Sequence, residues 1–126
     1  MKKEIETSDD VKLLVNEFYK MVRQDELLAP IFNERIPGDW QPHLEIMYRF
    51  WDAILLGVPS YNGHPFAKHT KLPIDRHHFE QWIKLFYDTI DQYFIGSIAE
   101  EAKTRAMVIA LAFYNRMHEQ PKVLTA

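Results

Sequence analysis

Residues 61–86 read YNGHPFAKHTKLPIDRHHFEQWIKLF, and within them one histidine, His69, stands between Pro65 and Pro73. Pro65 suits the first turn of a short helix and Pro73 cannot lie inside the same one. His69 therefore falls near the end of about one and a half turns and is presented to one side. Past Pro73 the register changes: Asp75 is an N-cap, and Ile74 with Phe79 has the spacing of a hydrophobic staple. The helix opened there carries Phe79, Trp82, Ile83 and Phe86 on one face. A constrained imidazole facing a broad aromatic surface is a site shaped for a flat hydrophobic cofactor.

Length bounds what surrounds this stretch, since 126 residues and 15.0 kDa fit one domain, residues 1–126, with enough chain to bury a core. Lys and Arg number 15 against 18 Asp and Glu, and the basic residues are scattered apart from Lys2-Lys3, so no phosphate-binding stripe exists and nucleic acid is excluded as a partner. The start MKKEIETSDD has no apolar stretch behind its lysines, and no run approaches the ~18 apolar residues of a membrane span. The expectation is a cytoplasmic protein without membrane contact. The absence of cysteine removes disulfides, thiolate-held zinc, iron–sulfur clusters and thiol catalysis. Any metal must then use His, Met, Tyr or carboxylate.

Working outward toward the N-terminus, Thr7 or Ser8 can cap a helix whose apolar residues Val11, Leu14, Val15, Phe18 and Val22 recur with helical spacing. Tyr19 lies beside Phe18 at the edge of that face, where its ring can pack while its hydroxyl seeks a partner; a rim tyrosine is the competing reading. Pro30 breaks the apolar patch from Leu27 to Phe32, and residues 35–39 form a loop ending in an N-cap. A second helix runs from Asp39 to Gly57, with Pro42 in its first turn and Gly57 at the C-cap. His43, Met47 and Trp51 make one stripe along it, flanked by Phe50 and Ile54. A histidine on such a stripe is more often a packed core side chain, and the alternative is that His43 overhangs the same pocket as His69 from the opposite side. Gly57 to Pro73 is a long connection of the kind that carries function in a compact domain.

Toward the C-terminus, Gly96 stops the Asp75–Phe94 helix, and Ser97-Ile-Ala-Glu100 has the form of a capping box for a last helix. Ala102, Ala106, Ile109, Ala110 and Phe113 form its apolar face, and Pro121 lies past its end. No segment alternates as a strand does, so the fold is expected to be all-α, with four long helices and short ones between. Zinc-protease, hydrolase-elbow, phosphate-loop and di-iron spacings are absent. His77 and His78 diverge at a helix start and are expected to face solvent. What remains is an aromatic content of 13% gathered on the helices around one well-presented histidine. An apolar slot with a single imidazole is how haem is held.

These residues resemble the truncated haemoglobins, most closely their third group. The resemblance rests on Phe18-Tyr19, Asp39-Trp-Gln-Pro-His43, Phe50-Trp51 through Leu55-Leu56-Gly57, Tyr61-Asn-Gly63, Lys68-His69 through Leu72-Pro73, and Trp82-Ile-Lys-Leu-Phe86, and it spans about Val11 to Phe113. The chain lacks the Gly-Gly pairs that the first two groups carry in their loops, which fits the third. The resemblance implies a globin-like, truncated 2-on-2 helical sandwich around haem b. It implies His69 as the proximal iron ligand, and Tyr19, His43 and Trp82 on the distal side where dioxygen and other diatomic gases bind. Phe18, Met47, Trp51, Leu72, Phe79 and Phe86 then pack around the porphyrin, and Lys68 and Arg76 stand near its propionates.

Buried donors stabilise a ligand that takes on negative charge, so tight oxygen binding is expected. Oxygen transport or storage, nitric oxide dioxygenation with a reductase partner, peroxidase-like chemistry and sensing all start from this pocket. The competing class is a cofactor-free helical module whose aromatic groove takes an apolar ligand or a partner helix.

Overall fold

A computed structural model describes residues 2–58 and 75–117. Within them lie α1 (Ser8–Gln24), α2 (Ala29–Arg35), α3 (Gln41–Leu56), α4 (Arg76–Tyr93) and α5 (Ser97–Met117). The four long helices and one short one match the expected all-α architecture, and the described residues contain no strand, only an isolated bridge between Lys3 and Phe94.

The helix α1 starts where its capping chemistry dictates. Thr7 Oγ1 accepts from the Asp10 backbone N–H while the Asp10 carboxylate accepts from the N–H of Thr7, so two otherwise orphaned donors are satisfied reciprocally. The expected face, Val11, Leu14, Val15, Phe18 and Val22, is buried in full. Pro30 sits in the first turn of α2, where its missing N–H costs nothing, so the residue expected to break the patch instead begins a helix. At α3 the Asp39 carboxylate accepts from the Gln41 N–H at 3.0 Å, so Asp39 lies just ahead of the helix, which runs from Gln41 to Leu56 with Gly57 as a left-handed C-cap at φ 70°. Asp75 caps α4 as expected.

Two expectations are corrected at the helix starts. His78 does not face solvent: its side chain is 17% exposed, and its Nδ1 accepts from the Asp75 N–H at 3.0 Å, which completes the α4 capping box, whereas His77 is exposed. Ser97 is the first helical residue of α5, and Glu100 N–H donates to the Gly96 carbonyl at 3.1 Å, so the turn is closed by backbone rather than by a serine cap.

Packing then follows from the faces. The helix α1 lies against α2, α3 and α4, and α4 also packs on α5, whose Ala99, Ala102, Ala106 and Ala110 are buried. Small side chains let these two helices approach closely. Polar ties lock α4 onto α1: Tyr93 OH donates to Glu17 at 3.0 Å, and Gln81 Nε2 donates to Asp25 at 2.6 Å. Thr89, which has no exposed surface, donates its hydroxyl within its helix to the Leu85 carbonyl at 2.8 Å, so its burial leaves no unmet donor. The N-terminal segment is pinned across the α4–α5 turn by Lys3 N–H to the Tyr93 carbonyl and Ile95 N–H to the Lys3 carbonyl.

Candidate functional site

An aromatic cluster occupies the junction of α1, α3 and α4. Phe18 is its centre, edge-on to Tyr19 at 4.9 Å, to Trp82 at 5.3 Å and to Phe86 at 5.1 Å between ring centroids. Phe86 is in turn sandwiched, stacked on Trp51 at 5.0 Å and on Trp82 at 5.7 Å. Helical spacing explains the convergence: Trp82 and Phe86 are one turn apart on α4, and Phe18 and Tyr19 follow one another near the middle of α1.

Tyr19 lies deeper than the helix edge expected of it, at 5% exposure. Its ring is met edge-on by His43 at 5.3 Å and by Phe32 at 6.3 Å, and Trp40 is tilted against it at 5.8 Å. Burial pushes the phenol well above its ordinary value, because the phenolate would lose its hydration. The hydroxyl is therefore a proton donor, and not an anion, across the biological pH range. Neither this hydroxyl nor the Trp82 indole N–H donates to another described residue. His43 is half-buried on α3, edge-on to Trp40 at 5.7 Å, with its Nε2 withdrawn from solvent.

The structure thus brings Tyr19, His43, Phe18, Trp82, Phe86 and Trp51 into one connected cluster. Met47, Trp82 and Ile83 are half-buried large apolar side chains against the core, and half-buried Phe79 packs edge-on against Tyr114 at 5.4 Å. Arg76, expected near the propionates, is 69% exposed and pairs with Glu80 of its own helix at 3.4 Å, an ordinary surface pair. Lys68, His69 and Leu72 lie outside the described residues. Trp40 and Phe32 went unnoticed as neighbours of Tyr19. Trp40 had a signal, since it stands three residues before His43 and so shares its side of the α3 start.

Half-buried aromatics around donors that bond to no other described residue suit a flat apolar group carrying a polar ligand, as a porphyrin with a bound gas would be. No group of three or more metal-ligating side chains occurs among the described residues.

An all-α fold with paired helices about such an aromatic cluster defines a globin of the truncated, 2-on-2 kind. The family model for bacterial-like globins matches residues 3–119. A group 3 truncated hemoglobin of Campylobacter jejuni is 34% identical over 123 residues, covering 94% of this chain and 97% of that one. The crystal structure of the group III truncated hemoglobin from that organism superposes with a TM-score of 0.86 at 35% identity, over 94% of this chain and 97% of the other. A truncated oxygen-avid haemoglobin from Bacillus subtilis gives a TM-score of 0.75 at 29% identity, over 86% and 94% of the two chains. The chain belongs to the bacterial-like globin family, as a truncated haemoglobin of its third group. Haem as cofactor and dioxygen as ligand come with that family, and no described helix is long and apolar enough to cross a membrane.

Proposed function

We propose that this chain is a single-domain cytoplasmic protein that holds haem b through His69 and binds dioxygen on the side of Tyr19, His43 and Trp82, in the service of nitric oxide dioxygenation. The observation that carries the reading is the buried Tyr19 side chain, its phenol kept protonated by burial and its ring packed on His43, Trp40 and Phe18. Haem supplies the iron at which a diatomic gas binds. The chain's donors and apolar walls then shift the balance between one gas and another.

Tyr19 donates a hydrogen bond from its hydroxyl to the ligand atom on which negative charge gathers, and Trp82 offers a second donor from α4. In a site closed to water each such bond acts at low local dielectric and needs no reorganisation. His43 guards the approach between α1 and α3. Trp51, Phe79, Phe86, Met47 and Leu72 exclude water from the porphyrin faces, and Lys68 answers the propionates. In that reaction dioxygen and nitric oxide would together become nitrate, its three oxygens being the two of dioxygen and the one of nitric oxide, and the one electron supplied by the haem iron would have to be returned by a reductase before the next cycle. The same donors, aimed at an O–O bond, would equally polarise a peroxide.

The purified protein answers the first part by colour: a Soret band with one haem per chain supports the reading, and a colourless protein that takes up no added haem overturns it. Mixing the dioxygen complex with nitric oxide in a stopped-flow instrument answers the second. Stoichiometric nitrate and rapid loss of the dioxygen spectrum are expected, and slow loss without nitrate would remove dioxygenation from the proposal.

A further inference from the structure

On the outer side of α1 a cleft of about 450 Å³ opens between α1, α2 and α3. Tyr19 and Leu44 supply its apolar lining, and Asn16, Lys20, Arg23, Gln24 and Asn33 its polar walls. Its volume lies within the range of small-molecule sites, roughly 300–1,000 Å³. Although the chain carries three more acidic than basic residues, as its net charge of −3 records, no carboxylate lines this cleft.

The donors there are uncommitted or pre-ordered. Lys20 makes no ion pair with a described residue, whereas Lys3, Lys84, Lys103 and Arg105 each pair with a carboxylate. Arg23 lies over the Trp40 ring at 4.7 Å, which restrains its guanidinium without neutralising it. Asn16 accepts at Oδ1 from the Tyr48 hydroxyl, so its amide is oriented and its N–H₂ end is left to donate. Two cations and an aligned amide donor in a carboxylate-free cleft with an apolar lining match one ligand chemistry.

We propose that this cleft binds a small organic anion, one that presents carboxylate or phosphate oxygens to Lys20, Arg23 and Asn16 and rests its carbon skeleton on Leu44 and Tyr19. Several acceptor oxygens are needed to meet separated donors, and charge-assisted bonds to Arg and Lys supply most of the attraction. The occupant would touch Tyr19, whose ring also meets His43 and Phe18. The site is thus distinct in its ligand from the gas pocket while sharing one wall with it.

The test is a titration of the isotope-labelled holoprotein in its carbon monoxide form, following backbone amide shifts. Citrate and glucose 6-phosphate represent the two sources of oxygens, and sodium chloride at equal ionic strength is the control. Saturable shifts confined to residues around Lys20, Arg23, Asn33 and Leu44 are expected with at least one organic anion and not with chloride. Lys20→Gln and Arg23→Gln should each weaken binding roughly fivefold, as for loss of one exposed charge. Asn33→Asp, which puts a carboxylate into the cleft, should weaken it at least as much while leaving the far-UV helix signal unchanged. Shifts that grow linearly without saturation, that spread over the surface lysines, or that persist undiminished in all three variants would overturn the proposal.

Discussion

The rings of Tyr19 and His43 meet edge to face, 5.3 Å apart at an interplanar angle of 84°, so the helix that carries the buried hydroxyl and the helix that carries the half-buried imidazole are joined at these two side chains. Tyr19 also touches Phe18, and Phe18 touches Trp82, which places the two candidate donors on either flank of one phenylalanine. Removing either donor can therefore leave the packing of the other in place.

That separation makes the donors testable one at a time. Tyr19→Phe deletes the hydroxyl and keeps the ring contacts with His43, Trp40 and Phe18. A hydrogen bond to a charged or partly charged acceptor contributes roughly 1.5–3 kcal/mol, which predicts dioxygen leaving about ten- to 150-fold faster in the variant. Carbon monoxide gathers less negative charge and should respond far less. Because both donors would act on one small ligand, Tyr19→Phe and Trp82→Phe should be non-additive in a double-mutant cycle. Stopped-flow dissociation rates within about twofold across wild type, both single variants and the double variant would remove the hydrogen-bonding pair.

His43 stands at the rim rather than at the centre of the cluster, half-buried where Tyr19 is buried. His43→Leu should accordingly change the rate of carbon monoxide association more than its rate of dissociation. Flash photolysis gives both. A variant that changes only dissociation would make His43 a ligand-stabilising group instead of a gate, and a bis-histidine low-spin spectrum in ligand-less ferrous wild type would make it a second iron ligand.

His69→Ala should abolish or greatly loosen haem retention, since a single imidazole is the iron ligand offered by the sequence. Haem content after gel filtration and the ferrous spectrum give the result, and wild-type values for both would transfer the ligand role to another histidine, His43 first. Because haem binds the folded state alone, the variant should also melt earlier than the loaded wild type.

What was legible in the sequence was whatever repeats along one helix. Val11 to Val22 and Trp82 with Phe86 follow the 3.6-residue period, so both faces were readable before any tertiary contact was known. Trp40 against Tyr19 was legible only at one remove, through the place of Trp40 three residues before His43, because the contact itself spans the α2 connection and has no period. The bridge from Lys3 to Phe94 left no trace, being made by backbone groups that every residue owns. His78 misled because a histidine at a helix start usually points outward, whereas here a backbone N–H of the cap offers it a bond.

The turn before α5 depends on one glycine. Gly96 has φ 107°, a region that L side chains rarely adopt, and a Cβ built on it would lie 2.9 Å from the Glu4 carboxylate of the pinned N-terminal segment. Gly96→Ala should therefore cost about 1–3 kcal/mol from backbone strain, more than an exposed turn substitution. Chemical denaturation of the variant measures it. Adding Glu4→Ala should recover the part due to the close approach and leave the part due to φ, and a single variant as stable as wild type would show that the turn adopts another conformation.

Asp10 makes the acid limb of stability predictable. Desolvation by burial favours its neutral form, but the bond from Lys3 and the N–H donors of Glu6 and Thr7 outweigh it and hold the carboxyl below its ordinary 3.8. Geometry agrees: Oδ1 meets Lys3 Nζ at 2.8 Å, while Oδ2 accepts from the N–H groups of Glu6 at 2.8 Å and Thr7 at 3.0 Å. A group whose pKa is depressed on folding binds fewer protons in the native state. Its contribution is fully present above the unfolded value, about 3.9, and fades as pH falls through the lower folded value. Asp10→Asn retains one amide oxygen for the backbone N–H groups of the capping box and loses the charge that Lys3 meets. At neutral pH it should cost about 1–2 kcal/mol, the range of a lost helix cap. The gap between wild type and variant should hold from pH 7 to about 5 and close progressively below about 4, because protonated Asp10 then resembles the amide. Urea unfolding of both proteins at a series of pH values measures that gap; a difference that stays constant down to pH 3 would show that folding leaves the Asp10 pKa unchanged, and one that widens there would show that folding raises it.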